Sequence, residues 1–446
     1  MVSSSWPALV STILANLAVH LDRRTQPRFW SVFFGLLMCR ERRRTVSAWF
    51  RAAGIGKDFR QAYLVLGSVG RRAKSLSSAM LTTIESMLGL DSEDRFVFAL
   101  DDSVTKRYGP WVEGAGVHRN PTPGPAAQEW VYGHVWVTLA RVVHHTLWGA
   151  IGLPVRAMLY VRQKDLKTIP PDYEWKFRTK LELAVAMMQW LKIWLEHKSK
   201  PIWLLMDGAY AKQVVLRAAK KLSITIVSRL RHDSALRTLP DAKRPKRTRG
   251  RKPKYGKSRI SLAKRAGAKK GWTTEKVDLY GQLRDVTYKT FLATWAPAGG
   301  VIRVVLVKNE DGWVAFFCTD PNATAADILG LVSDRAVIEQ VFHDVKEIWG
   351  AGQQQLRNVH ANVGAWHMNL WAHTLVELWA WHQPEEKLVD RSASPWDGEW
   401  RRPSHADRRK ALLRETLRGE IQAAMSGRGQ KAKLKALAER LLLLAA

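Results

Sequence analysis

Two apolar runs, each ending in an aspartate, limit what this chain can build. Phe96-Val-Phe-Ala-Leu100 leads into Asp101, and Ile202-Trp-Leu-Leu-Met206 leads into Asp207. Short continuous apolar runs read as strands buried on both faces. Each carboxylate is therefore expected where a buried strand leaves the core. A third acid, Glu339, lies in a stretch with helical apolar spacing, Ser333 to Trp349. Two strand ends and one helix face can gather three carboxylates around a pair of divalent cations, an arrangement suited to phosphodiester chemistry. The charge balance points the same way. The 446 residues hold 71 Lys and Arg against 40 Asp and Glu, a formal charge of +31. An excess of that size favours a polyanionic partner such as nucleic acid.

A chain of this length predicts two to four folding units, because single cores stop growing at about 250 to 300 residues. With 46% hydrophobic residues and 21 Trp, it has the apolar material for a large core. Cys39 and Cys318 are its only cysteines, which excludes a disulfide framework and any zinc site of ordinary cysteine stoichiometry. The N-terminus lacks the basic start of a secretion signal, and no segment reaches the ~18 uninterrupted apolar residues of a membrane span. A cytoplasmic, nucleoid-associated protein is the expectation, with no membrane partner.

Residues 1–92 carry helical spacing, as in Trp30 to Met38 and Val46 to Phe50, and clustered cations at Arg40, Arg42, Arg43 and Arg44. They predict a helical N-terminal DNA-binding domain. From residue 93 the pattern changes. Arg95 to Asp101, Val131 to Val143 and Trp148 to Val161 read as successive strands; a helix over Thr179 to His197, a strand to Asp207, a helix over Val214 to Leu222 and a strand over Ser223 to Ser228 follow. Three antiparallel strands followed by alternating helices and strands predict an α/β domain of the ribonuclease H type, whose first part spans residues 93–238.

Residues 239–322 read as a basic loop and a β-rich insertion. Lys243 to Lys270 holds fourteen Lys or Arg and no acid, with Pro and Gly set against regular structure. Its cations Lys243, Arg244, Lys246, Arg247, Arg249, Arg251 and Lys252 are candidate phosphate contacts; a solvated loop is the ordinary alternative. Four strand-like stretches between Thr273 and Cys318 follow. Residues 323–383 then complete the catalytic domain, opened by the capping-box sequence Thr324-Ala-Ala-Asp327. A basic helical region, residues 384–446, ends the chain. His343, His360, His367, His373 and His382 follow no standard ligand spacing and read as core or surface residues.

Arg335, Glu339 and Lys346 fall four and eleven residues along one helix, within about 40° of one face at 100° per residue. An exposed ion-pair ladder would give the same spacing. Other motifs add weight: Leu100-Asp-Asp-Ser103, Met206-Asp-Gly-Ala-Tyr210, Ser228-Arg-Leu-Arg-His-Asp233, Phe317-Cys-Thr-Asp-Pro321 and Gln355-Leu-Arg-Asn358. Together, over roughly residues 25–385, the chain resembles the DDE transposases of bacterial insertion sequences. The resemblance is to the branch with a β-strand insertion and a Tyr, Arg, Glu, Lys signature. Arg335, Glu339 and Lys346 match that signature, and Val332 stands at its Tyr position.

The resemblance implies a catalytic and metal-binding triad of Asp101, Asp207 and Glu339, with Asp102 as a one-residue alternative to Asp101. It implies two Mg²⁺ ions, for which Mn²⁺ would substitute, and phosphate contacts from Arg335 and Lys346. It also implies double-stranded DNA, both element ends and target, as partner, and a homodimer in the synaptic complex. The activity implied is cutting at terminal inverted repeats and transfer of the 3′-hydroxyl ends into target DNA. A catalytically inactive or domesticated DNA-binding protein of the same fold and a stand-alone ribonuclease H-like nuclease are the alternatives.

Overall fold

The computed structural model describes residues 6–438 apart from 91–92, 121–128, 241–252, 393–395, 426–429, 433 and 436. The chain opens with helices α1 (Ala8–Ala18), α2 (Gln26–Met38), α3 (Val46–Ala52), α4 (Phe59–Arg71) and α5 (Ala73–Leu88). Strands β1 (Phe96–Lys106), β2 (Gly116–Arg119), β3 (Trp130–His145) and β4 (Gly149–Tyr160) come next. Helix α6 (Lys180–Leu195) precedes β5 (Ile202–Met206), α7 (Gln213–Leu222) and β6 (Ile224–Leu230). Short pieces β7 (Leu236–Arg237), β8 (Arg259–Ile260) and α8 (Leu262–Gly267) lead to β9 (Thr273–Leu279), β10 (Gln282–Trp295), β11 (Gly300–Asn309) and β12 (Gly312–Cys318). The chain then runs through α9 (Ala325–Asp334), α10 (Ala336–Glu347), α11 (Val359–Ala380), α12 (Glu385–Leu388) and α13 (His405–Met425).

The described strands form one mixed sheet of twelve, with the main order β2-β3-β1-β5-β6-β12-β11-β10-β7-β8. β1 runs antiparallel to β3, and β4 antiparallel to β3, whereas β5 and β6 run parallel to β1. The five residues of β5 are all buried, as an interior parallel strand requires. The later strands do not stand apart. β12 pairs antiparallel with β6 through Ala315 to Cys318, so β7 to β12 continue the same sheet.

Every residue of helix α11 but His360 is buried, the mark of a core helix, and its buried polar side chains, among them Asn362, His367 and Glu377, are hydrogen-bonded. Asn358 caps its start by accepting from Ala361 N. It lies against β4, with Trp371 Nε1 donating to Val155 O at 2.9 Å and Thr374 Oγ1 to Pro154 O at 2.8 Å. Trp366 stacks on Trp136 of β3, centroids 5.1 Å apart. On its other side α11 crosses α4 at Gly70 and Gly364, so closely that a Cβ on Gly364 would lie 1.9 Å from Leu66 O.

The stretch from Lys254 to Lys270 is more ordered than its composition predicts. β8 pairs with β7, and α8 is capped by Ser261 and anchored by buried Leu262. Two apolar residues among the cations, Ile260 and Leu262, supply the anchor that a composition count overlooks. Lys243, Arg244, Lys246, Arg247, Arg249, Arg251 and Lys252 lie outside the described residues. Among the described residues, no helix is long and apolar enough to cross a membrane.

Candidate active site

Leu100 pairs with Met206, the last residue of β5. Asp101 and Asp207 therefore follow one matched pair on neighbouring strands, about 4.8 Å apart. The expectation that Asp101 ends its strand needs correction. β1 runs on to Lys106, because β3 keeps pairing with it, Asp101 opposite Thr138. What ends at Asp101 is the parallel pairing with β5, and that opens the space beside the carboxylate. Asp207 begins a tight turn in which Ala209 N donates to its Oδ2 and Tyr210 N to its carbonyl.

The expected helix over Ser333 to Trp349 is divided. Ser333 and Asp334 belong to α9, and Arg335 joins α9 to α10 as the cap residue of both. Glu339 lies in the first turn of α10, and the four-residue spacing survives the break. Arg335 Nη1 donates to Asp101 Oδ2 at 3.1 Å, and its Nη2 to Glu339 Oε1 at 2.7 Å. One guanidinium thus spans the β1 acid and the helix acid. Lys346, further along α10, is partly buried, and burial lowers its amine below the ordinary lysine value, with Glu347 opposing. Val332 lies in α9, packed against the core.

Burial pushes the Asp101 carboxyl up to about 6; the Asp102 N–H and Arg335 oppose the rise, and the charges of Asp102 and Asp207 add to it. Asp102 has a different environment, because successive side chains of a strand point to opposite faces. Its Oδ2 accepts from Lys180 Nζ at 2.6 Å and its Oδ1 from Tyr210 OH at 2.6 Å. Lys180 is the first residue of α6, fixed by the capping box of Thr179 and Glu182. Tyr210 is buried, and burial together with the Asp102 charge pushes its phenol well above the usual range, so it stays a donor. Sequence alone gave no reason to join Lys180 to this site. Tyr210 stood three residues from Asp207, but nothing in the spacing aimed its hydroxyl at Asp102.

The donor set suits a hard divalent cation. Its oxygens are carboxylate oxygens, the donors that Mg²⁺ and Mn²⁺ prefer. A positive group already fits between two of them, and Asp101, raised first by burial and further by the charges of Asp102 and Asp207, is a carboxylate that a bound cation would relieve. Asp101, Asp207 and Glu339 would hold the ions.

Of the other acids on α9 and α10, Asp327 caps α9 with Thr324 and pairs with Arg95, and Asp334 pairs with His144. Asp344 lies in a second cluster with His373 and His405, all three buried and within 4.8 Å of one another through their ligand atoms. Its geometry suits a hydrogen-bonded lock better than a metal centre. The two imidazoles stack nearly face to face, 4.0 Å between centroids and 14° between planes, so their in-plane lone pairs do not converge on one point. Both nitrogens of His405 are engaged, Nε2 by the Trp349 indole N–H at 2.8 Å and Nδ1 with Glu377 at 2.6 Å. Burial and His373 lower the His405 pKa to about 4, in keeping with a neutral ring.

A mixed α/β sheet with acids on adjacent strands and on a facing helix defines a class of metal-dependent phosphodiester enzymes. A family model described as DDE superfamily endonuclease matches residues 16–290, more than half of the chain. The chain belongs to that family, whose fold is ribonuclease H-like. The matched span contains Asp101 and Asp207 and ends before Glu339. The comparison with curated proteins returned no match. Family membership makes this a transposase-like, metal-dependent nuclease with DNA as its substrate.

Proposed function

We propose that the protein is a DNA transposase. It binds the terminal inverted repeats of its own element, cleaves the ends and transfers the 3′-hydroxyls into target DNA as a homodimer. Asp101, Asp207 and Glu339 are the metal-holding acids, and Asp102 is a positioning residue held by Lys180 and Tyr210. The observation that carries this reading is the Arg335 guanidinium shared by Asp101 and Glu339 beside the Asp207 turn. Bound there, two Mg²⁺ or Mn²⁺ ions would supply charge neutralisation at phosphate oxygens and activation of water or a 3′-hydroxyl. Arg335 then turns its fork to a phosphate beside the scissile bond, and Lys346 adds a point charge. The N-terminal region, residues 1–92, and the cations of residues 243–252 hold the DNA backbone, and α13 of the C-terminal region braces the catalytic region.

Labelled element ends incubated with Mg²⁺ and the Asp207→Ala or Glu339→Ala variant test this directly. Loss of nicking in both is expected; retained Mg²⁺-dependent nicking in either would refute the assignment. A stand-alone nuclease is the second reading, favoured by the endonuclease description of the family. Joined strand-transfer products favour the transposase, and cleavage at any duplex without joining favours the nuclease.

A further inference from the structure

Three aromatic side chains stand in solvent at one end of the catalytic sheet. Tyr108 is 65% exposed, Trp111 73% and Trp130 55%. Tyr108 and Trp111 belong to the turn that follows β1. Trp130 begins β3, and Arg107 N donates to Tyr132 O, which brings the turn to that end of β3. The turn's backbone is pinned. Tyr108 N donates to Gln355 Oε1 at 3.2 Å, Glu113 N to Arg357 O at 2.9 Å, and Val359 N to Glu113 Oε2 at 2.7 Å. Buried Arg107 donates to Gly352 O at 2.8 Å, and Val112, the residue after Trp111, is itself buried. A fixed loop therefore holds its rings outward, exposed among the described residues.

We infer that Tyr108, Trp111 and Trp130 form a stacking platform for unpaired bases of the DNA substrate; this rests on the DNA-substrate reading above. Aromatic faces stack bases of any sequence once those bases leave the duplex. The surroundings select the partner. Lys106 ends β1 next to the turn, Arg119 pairs across the sheet with Trp130 and is bridged to Glu129, and the Arg357 carbonyl accepts from the turn at Glu113, all three cations being exposed. On a chain of charge +31 a second copy would meet this face with like charge. From Asp101 to its last residue, Lys106, β1 spans about 17 Å. At 3.4 Å per base pair, the platform beyond that end meets DNA about five pairs or more from the acids. Bases opened there stack on the rings while the acids hold the scissile strand.

Binding measured in metal-free buffer, where no cleavage intervenes, tests this. Tyr108→Ala, Trp111→Ala and the double variant are compared with wild type on a blunt duplex and on a forked duplex of the same sequence. The exposed rings leave the thermal midpoint unchanged. Each substitution is expected to weaken fork binding about tenfold, with duplex binding and the salt slope unaltered, and Trp111→Phe is expected to retain most of the fork affinity. Equal loss on both DNAs, or no loss on the fork, overturns the platform. A shift in oligomeric state in the double variant assigns the face to a second copy and overturns it as well. Wild type that binds neither DNA removes the function reading and this inference together, whereas unchanged variants beside a fork-binding wild type remove this inference alone.

Discussion

Asp101 holds its charge at a cost in stability. Its carboxyl lies up at about 6 instead of the ordinary 3.8, and its side chain is 21% exposed. A carboxyl raised in the folded state favours folding fully below its unfolded pKa and loses that contribution as pH rises through the folded value. At pH 7 the native state carries a charge it disfavours, by at most about 3 kcal/mol for a shift of two units. Asp101→Asn is therefore expected to be more stable than wild type at pH 7 without divalent ions, by 1 to 3 kcal/mol in round numbers, about the range set by that shift. The gain disappears near pH 4. Urea titrations of both proteins at the two pH values check this, and a gain over wild type no larger at pH 7 than at pH 4 contradicts it. Mg²⁺ is expected to stabilise wild type and to leave the variant almost unchanged.

The helices and strands show how far sequence carries. The apolar runs before Asp101 and Asp207 were legible because interior parallel strands need continuous apolar residues, and the Thr324 cap because capping is local chemistry. The break at Arg335 was not legible, since neither Gly nor Pro marks it and helical residues lie on both sides. The pairing of β12 with β6 was hidden too, because it joins residues some ninety apart (Phe317 opposite Ser228) and no local signal encodes such a contact. The α4–α11 crossing is another non-local feature. A Cβ on Gly70 would lie 1.8 Å from His360 O and one on Gly364 1.9 Å from Leu66 O. Gly364→Ala must push two backbones apart and is expected to cost about 1 to 3 kcal/mol or more. Thermal unfolding reads it, and an unchanged midpoint would show that the helices do not meet there.

At the scale of the molecule, α13 ties the N-terminal helices to the catalytic core. Arg409 donates to Cys39 O at 2.6 Å and Ile348 O at 2.9 Å, and Arg408 and His405 both reach Glu377 of α11. Glu377 is 1% exposed, and although burial raises its pKa, Arg408 and His405 hold the carboxyl down to about 2. A depressed carboxylate contributes stability above its unfolded pKa and loses it as pH falls toward the folded value. Glu377→Ala leaves Arg408 and His405 buried without their partner and is expected to cost about 3 to 5 kcal/mol near neutral pH, read by denaturant midpoint; a loss under 1 kcal/mol would show the lock to be dispensable, by about the margin of a surface pair. Removing residues 243–252 is expected to weaken DNA binding and flatten its dependence on salt, and an unchanged slope would show that those cations touch no phosphate. The account as a whole stands on three acids sharing divalent cations. Crystals grown with Mn²⁺ and examined by anomalous diffraction test it most directly. Peaks between Asp101, Asp207 and Glu339, absent in Asp207→Asn, are the predicted result; a sole peak elsewhere, such as between Asp344 and His373, would contradict it.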